Sequence, residues 1–286
     1  MSITGQLLTP SHQVRPRWPD RPVIAFWRDL EDGDVIESHV HDHAQFLYAI
    51  SGVMRVRTLL GSWVVPPQRA VWIPSGVEHE VACVGDLAMR NVYIHSRAAP
   101  AARDACCVLS VSPLLRELVL STVDLGAPHG AGGAAGRLVA VLLDQIAAAP
   151  LIELRLPSPR DRRLRYVTDA LAADPADRRT LAGWARAAGA SARTLARLFQ
   201  AETGLSFRAW RQQVRLHEAL ARLATGEPVT GVAYAVGYDS PSAFIAMFRQ
   251  ATGETPGRYV AHPAPGAAGA PGAADDVVVS RAAALG

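Results

Sequence analysis

The chain has 286 residues, enough for two domains, and its 29 basic and 26 acidic side chains give a formal net charge of +3. No stretch approaches the ~20 consecutive apolar residues that a membrane helix needs, and residues 1–22 lack the apolar run of a signal peptide. Three cysteines, of which Cys106 and Cys107 are adjacent, do not form a disulfide framework. These features exclude the membrane and disulfide-rich secreted classes and predict a cytoplasmic protein.

Residues 1–22 are polar and contain prolines, which predicts a flexible N-terminus. Residues 23–99 then show short apolar segments separated by turn glycines, such as VIAFW, QFLYAI, AVWIP and NVYIH. Short strands at this spacing indicate a β-sandwich or a small β-barrel rather than alternating strands and helices.

Two motifs in this β region resemble those of the cupin family. The first motif of that family has a glycine, a His-x-His pair, an acidic residue and a second glycine. In this chain the positions with the same spacing are Gly33, His39, His41, Gln45 and Gly52. The second contains Pro-x-Gly-x-x-His, which is met by Pro74, Gly76 and His79. The sequence departs from the family at Gln45, where the acidic ligand is expected, and at Gln68 and Cys83, where glycine and asparagine are expected. The resemblance implies an all-β cupin-type barrel over residues 23–99.

The resemblance places His39, His41 and His79 where cupins hold a metal ion. Residues two apart on a strand face the same side, so His39 and His41 can act together. Three imidazoles and the neutral Gln45 suit a divalent transition metal such as zinc, nickel, iron or copper. The alternative is that these side chains line an effector pocket or bond to one another. We expect His43 to face solvent, and we expect Tyr48, Trp63 and Trp72 to belong to the core, although they could line the barrel.

Residues 100–158 change to a helical period. Leu114, Leu115, Leu118 and Val119 predict one helix, and the apolar segment from Leu138 to Ile146 predicts a second. These helices either make the contact of a dimer or cover the barrel. We interpret residues 100–158 as a helical dimerisation and linker region.

The C-terminal third contains an internal repeat. An apolar stripe at Leu181, Trp184, Ala185 and Ala188 is followed by Gly189, and the same pattern returns 48 residues later and ends at Gly237. A serine follows each glycine, at Ser191 and Ser240, and can cap the next helix. Each copy predicts a helix, a tight glycine turn and a second helix. The second copy has one more residue in its turn.

The repeat resembles the DNA-binding domain of the AraC/XylS family of transcription regulators. The matching segments are SARTLARLFQAETG, RLHEAL, VAYAVGYDSPSAF and FRQATGETPGRYV. The resemblance implies an all-α domain of seven helices with two helix-turn-helix units over residues 159–262. These residues carry 15 Arg against 9 acidic side chains, a net charge of +6, which suits a phosphate-rich partner.

In each recognition helix, the side chains that do not face the predicted core are the candidates for contact with DNA. In the first recognition helix, Arg193 and Arg197 are four residues apart on the outer face and can pair bidentately with guanine. Thr194 lies at the flank, and we expect Ser191 and Gln200 to contact phosphate. In the second, we expect Ile245 to touch a thymine methyl group and Ser242 and Arg249 to contact phosphate. The first unit is therefore predicted to read sequence and the second to position the protein.

The sequence as a whole predicts a transcription regulator, repressor or activator, whose cupin-like domain senses a small molecule or a metal. Its partners would be double-stranded promoter DNA, the effector and a second copy of the chain, without a membrane. The alternatives are a metal-dependent cupin enzyme, of the dioxygenase or isomerase type, with an appended DNA-binding domain, and a DNA-binding protein whose cupin is only a scaffold. Residues 263–286, rich in Ala, Gly and Pro, are predicted to be a disordered tail.

Overall fold

The computed structural model describes residues 12–16, 22–99, 103–125, 132–260 and 277–281. These residues form two compact units, a mainly β unit over 12–58, 63–153 and 277–281, and a mainly helical unit over 59–62 and 154–260. None of the described helices combines the length and the hydropathy needed to cross a membrane.

Strands of the β unit lie in the short apolar segments that the sequence analysis identifies within residues 23–99. They are β1 (His12–Pro16), β2 (Val23–Leu30), β3 (Val35–Val40), β4 (His43–Thr58), β5 (Gly61–Val65), β6 (Arg69–Ile73), β7 (His79–His95), β8 (Cys107–Ser110) and β9 (Leu151–Ile152). They lie in the order β1-β3-β7-β4-β6-β8-β9, with β2 also on β7 and β5 also on β4. The strand β10 (Arg155–Pro157) belongs to the helical unit.

Two long antiparallel strands, β4 and β7, organise the sheet. Their pairing runs from His43 opposite His95 to Arg57 opposite Glu80, and it shifts register near Ser51. One half of β7 pairs with β3 and the other half with β2. Because directly opposed residues share a face, this register fixes which side chains meet on each side of the sheet.

One face of the sheet is covered by two helices, α1 (Pro113–Asp124) and α2 (Gly133–Ala148). Leu115 and Val119 of α1 and Leu142 and Ile146 of α2 are buried against the sheet. Tyr48 and Trp72 belong to this same core, which confirms the expectation that they are core residues. Trp63 is also buried.

The ends of the chain differ from the sequence-based expectation. Residues 277–281, within the predicted disordered tail, form strand β11 (Val277–Arg281), and β1 lies within the predicted flexible N-terminus. The two strands pair antiparallel, with His12 opposite Arg281 and Pro16 opposite Val277. The composition of these segments predicts disorder because they have too few apolar residues to fold alone. A strand at the edge of a sheet has unpaired backbone N–H and C=O groups, with which such a segment can pair. Apart from residue 22, the remaining residues of both predicted segments lie outside those described.

The helical unit consists of seven helices over residues 162–260. They are α3 (Arg162–Ala173), α4 (Leu181–Ala187), α5 (Ala192–Thr203), α6 (Phe207–Ala224), α7 (Val229–Ala235), α8 (Pro241–Thr252) and α9 (Pro256–Val260). The pairs α4–α5 and α7–α8 are the two expected helix-turn-helix units, and the long α6 connects them. Gly189 and Gly237 occupy the left-handed region in the turns, with φ of 66° and 84°.

Apolar residues at helical spacing form the core of this unit. The predicted inner face of α3, Leu164, Val167, Thr168 and Leu171, is buried as expected. It packs against Trp184, Leu195, Phe199 and Trp210, which come from α4, α5 and α6.

Candidate functional sites

Three histidines meet in the β unit and are called here the histidine cluster: His39, His41 and His79. His39 on β3 lies directly opposite His79 on β7, and His41 follows β3 by one residue. All three are buried, and one potential ligand atom of each lies within 4.8 Å of the others. Cross-strand pairing therefore brings together the three histidines that the two motifs predict.

Hydrogen bonds orient the imidazoles of the histidine cluster. Each Nδ1 approaches a backbone carbonyl oxygen, at 2.8 Å for His39, 2.6 Å for His41 and 2.9 Å for His79. A neutral imidazole that donates from Nδ1 keeps its lone pair on Nε2, the atom with which it can bind a metal. Nε2 of His79 is buried without a hydrogen-bond partner. Leaving such an acceptor unsatisfied costs about 1–3 kcal/mol, a cost that a ligand bound at this atom would remove.

Gln45 adds a fourth potential ligand atom, its amide oxygen, and this oxygen leaves a hydrogen-bond conflict at His41. Its Nε2 donates to Asn91 Oδ1 at 2.7 Å, and its Oε1 lies 3.0 Å from His41 Nε2. His41 also approaches the His43 carbonyl with Nδ1. Because both of its contacts are acceptors, a neutral His41 can satisfy only one of them, whichever nitrogen carries the proton.

The second proton that would satisfy both contacts is disfavoured. Burial lowers the pKa of His41 to about 4, since the charged form loses its hydration. Burial, and then the charges of the two neighbouring imidazoles, lower the pKa of His79 well below its usual value. A cation among these lone pairs would remove the conflict. Three imidazole nitrogens and one amide oxygen are a donor set that fits a divalent transition metal.

Two residues beside the cluster were not identified from the sequence. Asn91 holds the Gln45 amide, and the ring of Tyr93 lies 4.8 Å from that of His41. Both are on β7, two residues apart, and they share the inner face of the sheet with Gln45 because Gln45 is opposite Tyr93. The period of two in LAMRNVYIH carries this signal.

The expectation that His43 faces solvent is wrong. His43 is 1% exposed, its Nδ1 lies 2.8 Å from Asp42 Oδ1, and its ring packs edge-on against His95. It begins β4 on the same face as Gln45, and therefore faces inward.

Gln68 stands where the cupin motif has a glycine. Its backbone has the left-handed conformation that favours glycine, with φ of 61°.

The first recognition helix, α5, presents the predicted reading face. Ser191 caps it by accepting a hydrogen bond from the Thr194 N–H, and Leu195 and Phe199 are buried. Arg193 and Arg197 are exposed. Gln200, expected at a phosphate, is exposed but donates through Nε2 to the Gly204 carbonyl at 3.1 Å, at the end of the same helix. The Thr194 hydroxyl lies 2.9 Å from Ser191 Oγ.

The second recognition helix, α8, has the same construction with fewer polar groups. Ser240 caps it through the Ala243 N–H, and Phe244, Met247 and Phe248 are buried. Ser242 and Arg249 are exposed and Ile245 is half-buried. The middle of its outer face carries no arginine.

Comparison with known proteins places the chain in a family. A helix-turn-helix domain model matches residues 184–262, and a cupin domain model matches residues 26–95. The HTH-type transcriptional regulator NimR of Escherichia coli is 40% identical over 230 residues, covering 80% of this chain and 84% of that protein. The chain belongs to the AraC/XylS family. It is a DNA-binding transcription regulator with an N-terminal cupin domain.

Two further relatives match less than half of the chain, and a solved structure resembles most of it. The HTH-type transcriptional regulator RipA of Corynebacterium glutamicum is 39% identical over 103 residues, covering 36% of this chain and 31% of that protein. The arabinose operon regulatory protein of Escherichia coli is 30% identical over 142 residues, covering 47% and 48%. A crystal structure of fatty acid-bound ToxT from Vibrio cholerae covers 83% of this chain and 94% of that chain, at 13% identity and a TM-score of 0.35.

Proposed function

We propose that this regulator controls a promoter in response to a divalent transition metal held by His39, His41 and His79, with Gln45 as an additional oxygen ligand. The observation that carries the proposal is the convergence of the three histidines, with one potential ligand atom of each within 4.8 Å of the others. In addition, Nε2 of His79 is buried without a hydrogen-bond partner among the described residues. A bound metal would supply a cation that fixes the ends of β3, β4 and β7 to one another. A small molecule that ligates the metal would act on the same strands.

The cupin domain is proposed to sense rather than to catalyse. The relatives that match 80% and 36% of the chain are both named as transcriptional regulators. Gln45 is neutral where the cupin motif has a carboxylate, so the site offsets less of a dication's charge. The enzyme alternative, a dioxygenase or isomerase, requires turnover that depends on the same histidines.

The regulator is further proposed to act as a homodimer. Helices α1 and α2 bury one face against the sheet but expose Leu114 and Val141, at 53% and 43%. Two copies of the chain would read paired half-sites on DNA. The domain limits 23–99, 100–158 and 159–262 are part of this proposal, and the cytoplasm, where the DNA target lies, is the proposed location.

At the DNA, α5 is proposed to read bases and α8 to position the protein. Arg193 and Arg197 are the proposed base contacts, and Ile245 is proposed to touch a thymine methyl group. Ser191, Thr194, Gln200, Ser242 and Arg249 are proposed to contact the backbone. The support for this division is the exposure of both arginines on α5 and the absence of a central arginine on α8.

The test is the metal content of the untagged full chain, compared with a His39→Ala/His79→Ala variant. A His43→Ala variant is the matched control, because His43 is equally buried but lies outside the cluster. Near-stoichiometric metal in the parent and the control, and none in the double variant, is the expected result. If the parent stays metal-free after zinc, iron and copper are offered, the metal proposal is wrong and the barrel is an organic-ligand pocket or a scaffold.

A further inference from the structure

Five arginines gather at one place in the helical unit and are called here the arginine strip: Arg178, Arg179, Arg208, Arg211 and Arg215. The first two precede α4. The other three lie on α6 at positions i, i+3 and i+7, which is one face of a helix. None of them belongs to a recognition helix.

Contacts tie the strip to both helix-turn-helix units. Arg211 Nη1 donates to the Arg179 carbonyl at 3.3 Å, just before α4. Arg178 Nη2 lies 2.7 Å from the carboxylate of Asp239, in the turn between α7 and α8. The guanidinium of Arg215 lies 5.3 Å from the ring of Tyr238 in the same turn. The strip therefore spans the region between the start of α4 and the turn that leads into α8.

Positive charge exceeds negative charge along this strip. Arg179 is paired with Asp177, and the Arg178–Asp239 pair is highly exposed, with side chains 70% and 85% accessible. In the part of the chain that the structure describes, neither Arg208 nor Arg211 forms an ion pair, although the charge of Arg211 contributes to lowering the pKa of Asp177. Burial, followed by the charge of Arg211, lowers the pKa of Arg215, as expected where like charges are held close together.

The strip lies beside the turn that leads into the second recognition helix. The N-terminal turn of a recognition helix enters the major groove, so groups beside the preceding turn lie next to the phosphates that border that groove. Guanidinium groups form strong paired hydrogen bonds with phosphate oxygens. Each phosphate that is neutralised also releases condensed counterions.

We propose that the arginine strip binds the DNA phosphate backbone between the two major-groove segments, with Arg208 and Arg211 as its principal contacts. This inference rests on the DNA-binding function of the regulator. It assigns to α6 a role in holding DNA in addition to its role in connecting the two units.

The test measures binding of the full chain to a mixed-sequence duplex across a series of salt concentrations. For an Arg208→Gln/Arg211→Gln variant, the slope of log K against log salt should become shallower by about 2, since each phosphate contact contributes about 0.9. An Arg208→Lys/Arg211→Lys variant should keep most of the parent slope because it keeps the charge. Arg222→Gln is the control on the same helix, since Arg222 is already paired with Glu218 and Glu227.

Each result has one meaning. An unchanged slope in the Gln variant, with its melting temperature equal to that of the parent, overturns the proposal. An equal change in Arg222→Gln also overturns it, because the effect would then be one of net charge. Failure of the parent itself to bind any duplex would contradict the DNA-binding function rather than the strip alone.

Discussion

The guanidinium of Arg215 fills the space in which a side chain at Gly237 would stand. A Cβ built on Gly237 would lie 2.7 Å from Arg215 Nη2 and 2.8 Å from the Cα of Ala176. Arg215 also donates from Nε to the Pro175 carbonyl at 3.0 Å. One arginine of α6 thus contacts both the loop before α4 and the turn of the second helix-turn-helix unit.

Gly237→Ala should destabilise the helical unit more than Gly189→Ala. Both glycines have positive φ, for which a side chain costs about 1–2 kcal/mol, so Gly189→Ala should lose about that amount. Gly189 has no other atom within 4 Å of its added Cβ, whereas Gly237 meets the backbone of Ala176. Overpacking adds about 1–3 kcal/mol at Gly237. Urea unfolding of both full-length variants measures the difference. Equal losses of stability would show that Arg215 and the backbone of Ala176 move aside at little cost.

Arg197→Ala and Arg249→Ala should weaken DNA binding in different ways. Loss of a bidentate base contact removes about 1–3 kcal/mol of discrimination at one base pair, so Arg197→Ala should relax specificity there. Arg249→Ala should lower the affinity for all duplexes alike, because phosphate contacts carry no sequence information. Competition binding against an operator, selected with the parent protein, and its single-base variants separates the two. If both variants lose the same affinity for every duplex, the proposal that α5 reads bases and α8 contacts phosphates is wrong.

Zinc should raise the stability of the parent protein but not of the His39→Ala/His79→Ala variant. A ligand that binds only the folded state at about a hundred times its dissociation constant adds about 2.7 kcal/mol. The expected result is an increase in melting temperature that a chelator reverses, with His43→Ala responding like the parent. A similar increase in the double variant would assign the effect to zinc bound elsewhere.

Stability at acidic pH should depend on the cap of α3. The side-chain hydrogen bond from Arg163 is the main cause that lowers the pKa of Asp161 to about 2, and the backbone N–H of Arg163 adds to it. Because this pKa is lower in the folded state, the contribution of the carboxylate is complete above its unfolded pKa of about 4 and is lost as the pH falls toward about 2. The stability difference between the parent and Asp161→Asn should therefore shrink over that interval. A stability difference that stays constant with pH would show that ionisation of Asp161 does not stabilise the folded state.

The histidine cluster could be predicted only as a set of residues. Motif intervals select His39, His41 and His79, because a strand places alternate residues on one face. They do not supply Asn91, which orients Gln45 from a strand 46 residues away. They also misplace His43, since the direction of a side chain next to a strand break depends on its pairing with His95.

The helical unit was more predictable than the β unit, for a physical reason. Helical period, serine caps and turn glycines are local signals, and they specify α3 to α8 within the segments where the structure has them. The sheet depends on pairing between distant residues, as in the tail strand β11, which pairs with β1 near the other end of the chain.

The sequence by itself determined the two domain types, the two helix-turn-helix units and the identities of the three cluster histidines, because each is encoded in spacing along a short segment. The tertiary structure alone decided that the three imidazoles converge, that α1 and α2 cover the other face of the sheet, and that arginines from α6 and from the segment before α4 form one strip. These relationships join residues that are remote in the chain, and their geometry is set by packing and pairing rather than by local pattern.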